Sequence, residues 1–482
     1  MSDSPAERFA PGWPGISPRW TSSAKTGIGT ALNLHSRVWF TLSHGILNEV
    51  YYPRVDQACT RDQGLIVTDG SSYFSEEKRN CKFENAPIEP GVPVYKLTNT
   101  ELQGRYRIEK EIFSDPYRNV VLQKVRFVPL QGKLADYRLY ALLAPHLANC
   151  GRENTGWTGD YKGTPMLFAQ REDCALAFAC SAHWRKMAVG FAGFSDGWQD
   201  LSQNYQLTWD YTRAVNGNVA LTGEIDLVAC GGEFILGLGF GEVWTEAGLH
   251  TRASLFESYD ELLAHYVWHW KSWQDGLLKL DEPRREVDLY RTSTAVMRSH
   301  ESKDFVGGVI ASLSIPWGFN KGDEDLGGYH LVWPRDLVET AFGFLAAGAE
   351  PDALRILRYL EATQESDGRW AQNMWLDGRP QLERNADGRD RLPHPAGGRH
   401  AAALAICSGR SATPVGCRQS RGRLHRPQRA GDPAGSLGRR RRILALYSGR
   451  RNLRPARSGG SRRRGGATRR SNVFARDGRL LE

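Results

Sequence analysis

The composition of the chain changes abruptly near Gln381, and this boundary limits what the sequence can fold into. From Gln381 to Glu482 the chain has 25 Arg, 6 acidic residues and no Lys, which gives a net charge of +19 over 102 residues. Because the whole chain carries +9, the 380 residues before the boundary carry −10. A segment with many Arg, Gly and Pro and few periodic apolar residues cannot bury enough surface to offset the entropy cost of ordering it. We therefore expect residues 381–482 to form a disordered tail.

The 380 residues before the boundary exceed the usual size of one domain, so we expect two folding units. The chain has no run of about 18 apolar residues, and its first residues, MSDSPAERFAPGWPG, lack the apolar stretch of a signal peptide. These features predict a soluble, cytoplasmic protein with no membrane partner. No CxxC pair occurs among the six cysteines before the boundary, so we expect buried free thiols and neither a metal site nor a disulfide framework. These cysteines are Cys59, Cys81, Cys150, Cys174, Cys180 and Cys230. We also expect no cofactor.

Residues 20–250 predict an antiparallel β-sandwich. Short apolar or alternating runs recur between turn residues such as Ser114-Asp115-Pro116, and this spacing favours two packed sheets. The clearest runs are Tyr106–Phe113, Asn119–Pro129, Tyr137–Leu147, Cys174–Ser181, Lys186–Phe194 and Glu233–Phe240.

Near Ser254 the apolar period changes from two to between three and four, which predicts helices. Five large residues then fall on one helical face: Tyr259, Leu263, Tyr266, Trp270 and Trp273. This aromatic stripe could bind sugar, but packing of a connecting helix against the sandwich is the better interpretation. We expect further helices near Arg285–Ser299, Asp336–Ala347 and Pro351–Thr363. The predicted domains are a sandwich over 1–253, a helical connector over 254–284, an all-α domain over 285–380 and the tail over 381–482.

Three strings between Asp304 and Gly378 carry the most specific signal. They are ASLSIPWG at 311–318, GGYHLVWPRDLVETAFGFLAAG at 327–348 and DGRWAQNMWLDG at 367–378. In the second string an apolar run ends in Trp-Pro-Arg-Asp and a helix begins at once. Asp336 can be the N-cap of that helix, with Glu339 completing a capping box and Gly348 as the residue after its end.

A functional interpretation of the same loop coexists with the capping role. Arg335 and Asp336 are a charged pair directly after the large aromatic Trp333. Sugar hydroxyls need paired donors and acceptors, and the C–H side of a sugar ring packs on an aromatic face. A loop placed just before a helix can line a pocket, so both chemistry and position suit a carbohydrate site.

These strings resemble the bacterial glucoamylase and glucodextranase group, glycoside hydrolase family 15, along almost the whole body of the chain. The resemblance implies a multi-domain β + α fold, with an N-terminal antiparallel β-sandwich, a linker helix and an (α/α)6 barrel, the six-hairpin glycosidase toroid. Residues 285–380 would form the first part of that barrel. In relatives the Arg-Asp pair of the HLVWPRD loop holds hydroxyls of the terminal glucose. The resemblance thus implies substrate binding by Arg335 and Asp336, with Trp333 and Tyr329 as the pocket wall.

The resemblance also implies hydrolysis of terminal α-glucosidic bonds with inversion. A carboxylic acid protonates the leaving oxygen, and a carboxylate roughly 6.5–9.5 Å away activates water on the opposite face. Relatives use two Glu, the acid in an RWEE-type motif and the base near the end of the barrel. Neither motif occurs in this chain, so no catalytic residue is assigned and the chain is expected to be truncated and inactive.

Reading the tail in another frame restores the family pattern. Dropping the first base of each codon, with permitted codons, turns Leu382–Gly398 into WNGMQMDETAFPILLVD and Gly431–Asn452 into VTQQDRWEEDAGYSPFTLAVEI. The second product contains the general-acid motif, and Asn472–Glu482 can give TFSRETADCW. Three matches in one frame indicate a frameshift near residue 381.

Three classes of function follow from these observations. The first is a hydrolase of an α-glucan or maltooligosaccharide, in which glucodextranase and trehalase specificities remain alternatives. The second is a non-catalytic carbohydrate-binding protein that works through its sandwich, for which no aromatic platform is evident in the sequence. The third is nucleic-acid binding through the Arg-rich tail. Only Tyr447 and Phe474 are aromatic there and the charge vanishes on reframing, so we expect no nucleic-acid partner.

Overall fold

The computed structural model describes residues 7–21, 23–281, 288–313, 322–323 and 328–381, and the backbone of residues 383–384 and 390–391. The chain divides into two compact units, Met1–Thr413 and Pro414–Glu482. The second unit lies wholly outside the described residues, so the fold is that of the first unit.

Strands dominate the described residues up to Gly241. They are β1 Gly27–Thr30, β2 Trp39–Ser43, β3 Ile46–Tyr51, β4 Thr60–Thr68, β5 Phe74–Glu76, β6 Cys81–Glu89, β7 Val92–Glu101, β8 Tyr106–Ser114, β9 Val120–Pro129, β10 Arg138–Pro145, β11 Asn154–Tyr161, β12 Thr164–Arg171, β13 Cys174–Cys180, β14 Trp184–Phe191, β15 Arg213–Gly217, β16 Val219–Ile225 and β17 Glu233–Gly241. One sheet has the order β1-β2-β3-β4-β10-β16-β14, with β5 paired to β4. The other has the order β15-β11-β12-β13-β17-β9-β8-β7-β6. The strand neighbours in both sheets pair antiparallel, as predicted.

The main core lies between the two sheets and follows from the alternation of the strands. In β8, Tyr106, Ile108 and Ile112 are fully buried in this core, whereas Arg107 and Glu109 between them are partly exposed. The opposite sheet contributes residues from its central strands to the same cluster. All six runs singled out in the sequence are strands, with bounds that differ by a few residues. The N-terminal β-sandwich prediction is confirmed.

Helices follow the sandwich and also interrupt it at two places. They are α1 Glu77–Asn80, α2 Gly197–Asn204, α3 Trp244–Phe256, α4 Tyr259–Asp275, α5 Leu289–Ser299, α6 Pro334–Ala346 and α7 Glu350–Ala362. The change from strand to helix therefore occurs at Trp244, ahead of the position near Ser254 that the sequence period indicated. Helix α3 buries small residues, Ala247, Gly248, Thr251 and Ser254. It therefore lacks the stripe of large apolar residues by which an amphipathic helix is recognised.

The aromatic stripe of α4 packs against the sandwich. Tyr259, Tyr266 and Trp270 are buried in a cluster with residues of β7, β8 and β9. The Tyr266 hydroxyl and the Trp270 indole both donate to the carbonyl of Thr30, at 2.9 and 3.0 Å. The apolar faces and the polar atoms of Tyr266 and Trp270 thus contact the sandwich, whereas the Trp273 indole donates to Asp352 of α7 at 3.4 Å. The packing interpretation is confirmed.

Helices α5, α6 and α7 follow the connector and share a second core with the sandwich. Phe344 of α6 and Ile356 of α7 are buried beside Trp39 and Tyr51 of β2 and β3. The helices predicted near 285–299, 336–347 and 351–363 are therefore present.

The prediction of a disordered tail agrees with the structure only in part. The segment expected to be a disordered tail begins with a short pairing of Glu383–Arg384 with Asp390–Arg391, so the prediction is wrong for these four residues. A register of backbone hydrogen bonds does not need the apolar periodicity on which that prediction rested. The remainder of the predicted tail lies outside the described residues. Among the helices described, none is long and apolar enough to cross a membrane.

Candidate functional site

The loop with the predicted site residues is held between two other segments of the helical part. On one side the Ser312 N–H donates to the carbonyl of Tyr329 at 2.7 Å. On the other side Val332 and Met374 exchange two backbone hydrogen bonds of 2.9 Å each. Leu331 and Val332 are fully buried, and Val332 belongs to the second core. The loop backbone is therefore held by hydrogen bonds to both neighbouring segments and by the packing of Val332 in the second core.

Two aromatic rings on this loop stack on each other. The ring centroids of Tyr329 and Trp333 are 6.2 Å apart, and the ring planes differ by 20°. The Trp333 indole donates to the carbonyl of Gly328 at 2.7 Å, which fixes the ring against the start of the loop. Tyr329 is 53% exposed. The pair forms an aromatic surface that a ligand can reach.

Helix α6 begins at Pro334, two residues before the position predicted from the capping box. Trp333 occupies the N-cap position with extended backbone and makes no side-chain cap. Proline suits the first helical position because its φ is fixed and that position has no helical use for an N–H. Asp336 is therefore not the N-cap, and its carboxylate lies in the first turn, where the helix dipole favours negative charge. The predicted helix end is confirmed, since Gly348 has a φ of +79°.

Arg335 and Asp336 form a loose ion pair at the start of α6. Arg335 Nη2 and Asp336 Oδ2 are 3.6 Å apart, beyond the range of a hydrogen bond. The Arg335 side chain is 73% exposed. The Asp336 side chain is 44% exposed, but its Oδ2 is screened from solvent and accepts no hydrogen bond from any described residue. A ligand hydroxyl that reaches this oxygen could donate to it.

The neighbouring segment adds residues that sequence reasoning did not assign. Asn373 precedes Met374 and is buried, and its Oδ1 accepts no hydrogen bond from the residues that the structure describes. The Trp375 ring contacts the buried His330 ring, with centroids 5.8 Å apart and an interplanar angle of 62°. The signal for these residues was the string DGRWAQNMWLDG, which was recognised as specific without a role for its members.

A neutral histidine at the end of α5 holds the segment that pairs with the loop. His300 Nδ1 lies 2.7 Å from the carbonyl of Val296, and His300 Nε2 lies 3.0 Å from the Leu313 N–H. This arrangement requires Nδ1–H to donate and Nε2 to accept. Burial lowers the pKa of His300 from its ordinary value, which is consistent with a neutral ring.

A cluster of charged side chains links the end of α5 to α7. Glu301 accepts from Arg355 at 2.8 and 2.9 Å and also pairs with Arg298. Arg355 also binds Asp352 at 2.6 Å. Burial alone would raise the pKa of Glu301, but the bonds from Arg355 and the charge of Arg298 outweigh it, so the pKa lies below its ordinary value. Glu301 is therefore ionised and paired within the cluster, which links the end of α5 to α7.

Part of the connection between Ser312 and Gly328 is anchored to the sandwich. Asp323 Oδ2 accepts from the backbone N–H groups of Gly151 and Arg152, at 2.8 and 3.3 Å. The rest of that connection, including most of the string ASLSIPWG, lies outside the described residues.

The four predicted residues offer two aromatic faces, one guanidinium and one carboxylate. Such a set can hold a polyhydroxylated ring, because it combines apolar surface with a donor and an acceptor. Inverting glycoside hydrolysis needs a second carboxyl group, which this set does not supply. In the described part of the chain, no group of three His, Cys, Asp or Glu side chains could hold a metal ion. The six cysteines before the boundary are free thiols.

Three comparisons with known proteins give matches that agree with one another. Residues 10–275 match the family described as glucodextranase, domain N, which is more than half of the chain. The chain is 38% identical over 379 residues to a glucoamylase of Clostridium sp. (strain G0005), covering 78% of this chain and 53% of that protein. It also resembles the crystal structure of a bacterial glucoamylase complexed with acarbose, with a TM-score of 0.75 and 37% identity.

The match to the solved glucoamylase structure covers 78% of this chain and 55% of the solved chain. The chain thus spans about half the length of the relatives that it matches. The fold, the HLVWPRD loop and both matches agree with one another. The chain belongs to the bacterial glucoamylase and glucodextranase family, glycoside hydrolase family 15.

Proposed function

We propose that this protein is a glucoamylase-type glycoside hydrolase whose α6 loop binds the non-reducing terminal glucose of an α-glucan. The observation that carries the proposal is the screened Oδ2 of Asp336, which accepts no hydrogen bond from the described residues and lies 3.6 Å from the Arg335 guanidinium at the start of α6. A glucose hydroxyl would donate to Asp336, and Arg335 would donate to a neighbouring hydroxyl. The stacked rings of Tyr329 and Trp333 would face the C–H side of the sugar.

The proposed reaction is hydrolysis with inversion at the anomeric carbon. A carboxylic acid gives its proton to the leaving glucosidic oxygen while a water attacks the anomeric carbon from the other side, and a carboxylate accepts the proton of that water. Residues of the α6 loop would bind and orient the terminal glucose during these steps. They supply neither the acid nor the base.

We further propose that the chain as written is inactive because its reading frame changes near residue 381. The similarity to the Clostridium glucoamylase spans 379 residues, which is close to the 380 residues before the composition boundary. The reframed tail contains an RWEE motif of the type that carries the general acid, and the written tail contains none. Glu383 and Glu482 are the only Glu residues after the boundary.

The domain organisation belongs to the same proposal. Residues 1–253 would form the N-terminal sandwich domain, 254–284 the connector and 285–380 the first part of an (α/α)6 barrel, which the reframed tail would complete. The start of α3 at Trp244 favours moving the end of the first domain to about residue 243. A cytoplasmic location stays a prediction.

Other specificities within the family remain open to the same site. A glucodextranase or a trehalase would also need to hold a terminal glucose, so the α6 loop alone does not choose among maltooligosaccharide, α-1,6-glucan and trehalose. The nature of the linked sugar beyond the terminal glucose decides between them.

Restoring the reading frame tests the proposal directly. One base would be deleted or inserted at the codons for residues 379–382, and both proteins would be incubated with maltotriose while NMR follows the anomer released. We expect β-glucose from the frame-restored protein and no product from the chain as written. Release of α-glucose would overturn the inverting mechanism, and turnover by the chain as written would overturn its assigned inactivity. Isomaltotriose and trehalose in parallel reactions identify the preferred bond.

A further inference from the structure

A pocket opens on the outer face of the sandwich, where α3 begins beside the β15 edge of the larger sheet. Its volume is about 470 Å³, within the range of roughly 300–1,000 Å³ that is usual for small-molecule sites. The lining residues are Thr155, Trp157, Gln170, Arg213 and Trp244. None of them belongs to the α6 loop or to the segments that hold it, so this pocket is separate from the candidate site described above.

A cross-strand row of side chains forms the floor of the pocket. Trp157 of β11 lies opposite Phe168 of β12 and opposite Arg213 of β15 in the sheet register. The Trp157 and Phe168 rings are stacked, with centroids 5.5 Å apart and planes 19° apart. The Arg213 guanidinium carbon lies 5.8 Å from the centre of the Trp157 ring. Strand pairing fixes the backbone positions of all three residues, so their side chains lie side by side on one face of the sheet.

A second indole stands at a right angle to the first. Trp244 is the first residue of α3, and its ring plane makes an angle of 83° with Trp157 and 79° with Phe168. Phe168 is fully buried beneath it, whereas Trp244 remains 37% exposed. Packing against α3 therefore explains why Phe168 is buried. The indoles of Trp157 and Trp244 remain partly exposed at the pocket surface.

The polar groups of the pocket are open to a ligand. Neither the Trp157 nor the Trp244 indole N–H donates to a protein acceptor in the part of the chain that the structure describes. Gln170 lies opposite Thr155 in the register and uses its Nε2 for the carbonyl of Glu172, which leaves its Oε1 available. Among the described residues, the Arg213 side chain donates one hydrogen bond, from Nη1 to the exposed carboxylate of Glu7 at 3.2 Å. Two indole donors, an amide oxygen and a guanidinium thus converge on one apolar corner.

This combination is chemistry that recognises a neutral sugar chain. Flat aromatic faces pack on the C–H faces of pyranose rings, and planar amide and guanidinium groups can engage two adjacent hydroxyls at once. The described residues that line the pocket include one cation, Arg213, and no carboxylate, so they supply neither an acid nor a base for hydrolysis. We propose that this pocket is a second, non-catalytic binding site for an α-glucan chain, which holds the polymer on the sandwich. The choice of an α-glucan as ligand rests on the proposed function.

Binding of maltoheptaose to the full 482-residue chain, measured by titration calorimetry, tests the proposal. We expect Trp244→Ala to weaken binding at least tenfold and Gln170→Ala to weaken it several-fold. Trp268→Ala is the matched control, because it removes an indole that is 63% exposed on α4, away from the pocket. Trp244→Phe keeps an aromatic face and is expected to retain most of the affinity. Circular dichroism of each variant checks that it is folded, and Gln170→Ala provides the test if Trp244→Ala does not fold.

The α6 loop is removed from the measurement by Asp336→Ala. We expect this variant to keep the maltoheptaose binding that Trp244→Ala loses. Loss of all binding in Asp336→Ala together with normal binding in Trp244→Ala would overturn the second site and leave the proposed function intact. Equal loss of affinity in Trp268→Ala would also overturn it. Equal affinity for cellohexaose would overturn the α-glucan assignment of this pocket, and would leave the α6 site untouched.

Discussion

At the scale of single residues, Asp336 is the part of the α6 loop most dependent on a ligand. Its Oδ2 is screened from solvent, accepts no hydrogen bond within the described part of the chain, and lies 3.6 Å from Nη2 of Arg335. In the frame-restored protein, Asp336→Ala should lower kcat/KM on maltotriose by about 100-fold, or roughly 3 kcal/mol, because a charged hydrogen bond to the sugar is lost. Initial rates at low substrate concentration measure this. Asp367→Ala, which removes an exposed carboxylate after α7, is the control. A value for Asp336→Ala within threefold of the parent protein would refute the role of Asp336.

His300 links protonation to stability near the same loop. Burial lowers its pKa, so below its ordinary pKa of about 6.5 the unfolded chain binds a proton that the folded protein excludes. The stability contributed by neutral His300 is therefore complete above pH 6.5 and decreases as the pH falls from there. His300→Gln can still donate to Val296 and accept from Leu313, but does not titrate. We expect its unfolding midpoint to fall less between pH 7 and pH 5 than that of the parent chain. His35→Gln, at an exposed position, should show the parent's pH dependence; a parallel fall in His300→Gln would contradict the prediction.

At the scale of elements, strands and helices that bury large side chains were predicted from the sequence, and a helix that buries small ones was not. The strands were predicted because alternating large residues such as Tyr106 and Ile108 are buried between the sheets. Helix α4 was predicted from its aromatic stripe. Helix α3 was missed because it lies on β17 through Ala247 and Thr251, where the strand presents glycines. Close packing of backbone on backbone leaves no apolar period to detect.

The contact between α3 and β17 predicts that alanine substitutions at Gly239 and Gly237 lower the free energy of unfolding by different amounts. A Cβ on Gly239 would come within 2.1 Å of Thr251 Oγ1 and 3.0 Å of the carbonyl of Ala247. The Thr251 hydroxyl is fixed by hydrogen bonds to Ala247 and Ala177, so it cannot move aside at low cost. Gly239→Ala should lower the free energy of unfolding by roughly 1–3 kcal/mol. Urea unfolding followed by circular dichroism measures the loss.

Gly237→Ala is the control for this substitution. Its Cβ would meet side-chain carbons of Thr251 and Leu255 at 3.2 Å or more, and these can shift slightly. We expect a loss of less than about 1 kcal/mol. Equal losses for the two variants would show that α3 is not held as tightly to β17 as the structure indicates.

The candidate site was predictable in position more than in composition. The string WPRD at the start of a helix identified Tyr329, Trp333, Arg335 and Asp336, and the structure places all four around one helix start. Asn373 and Trp375 were not assigned, because they reach the loop only through the pairing of Val332 with Met374. These two residues are far apart in sequence. The sandwich pocket was missed for the same reason. Trp157, Gln170, Arg213 and Trp244 converge only through strand register and the position of α3.

At the scale of the whole molecule, the composition boundary near Gln381 separates chain that packs from chain that, by its composition, has little apolar surface to bury. A version ending at Gln381 should therefore unfold at the same temperature as the chain as written, within about 2 °C, because the composition of the deleted residues predicts little apolar surface to bury. The frame-restored version should differ from both, since the helices that it gains would pack against α5–α7 and raise the unfolding temperature of the helical part. Calorimetric scans of the three proteins compare these temperatures. If the shortened version unfolds more than about 5 °C below the chain as written, the written tail contributes packed structure and the boundary does not mark the end of the fold.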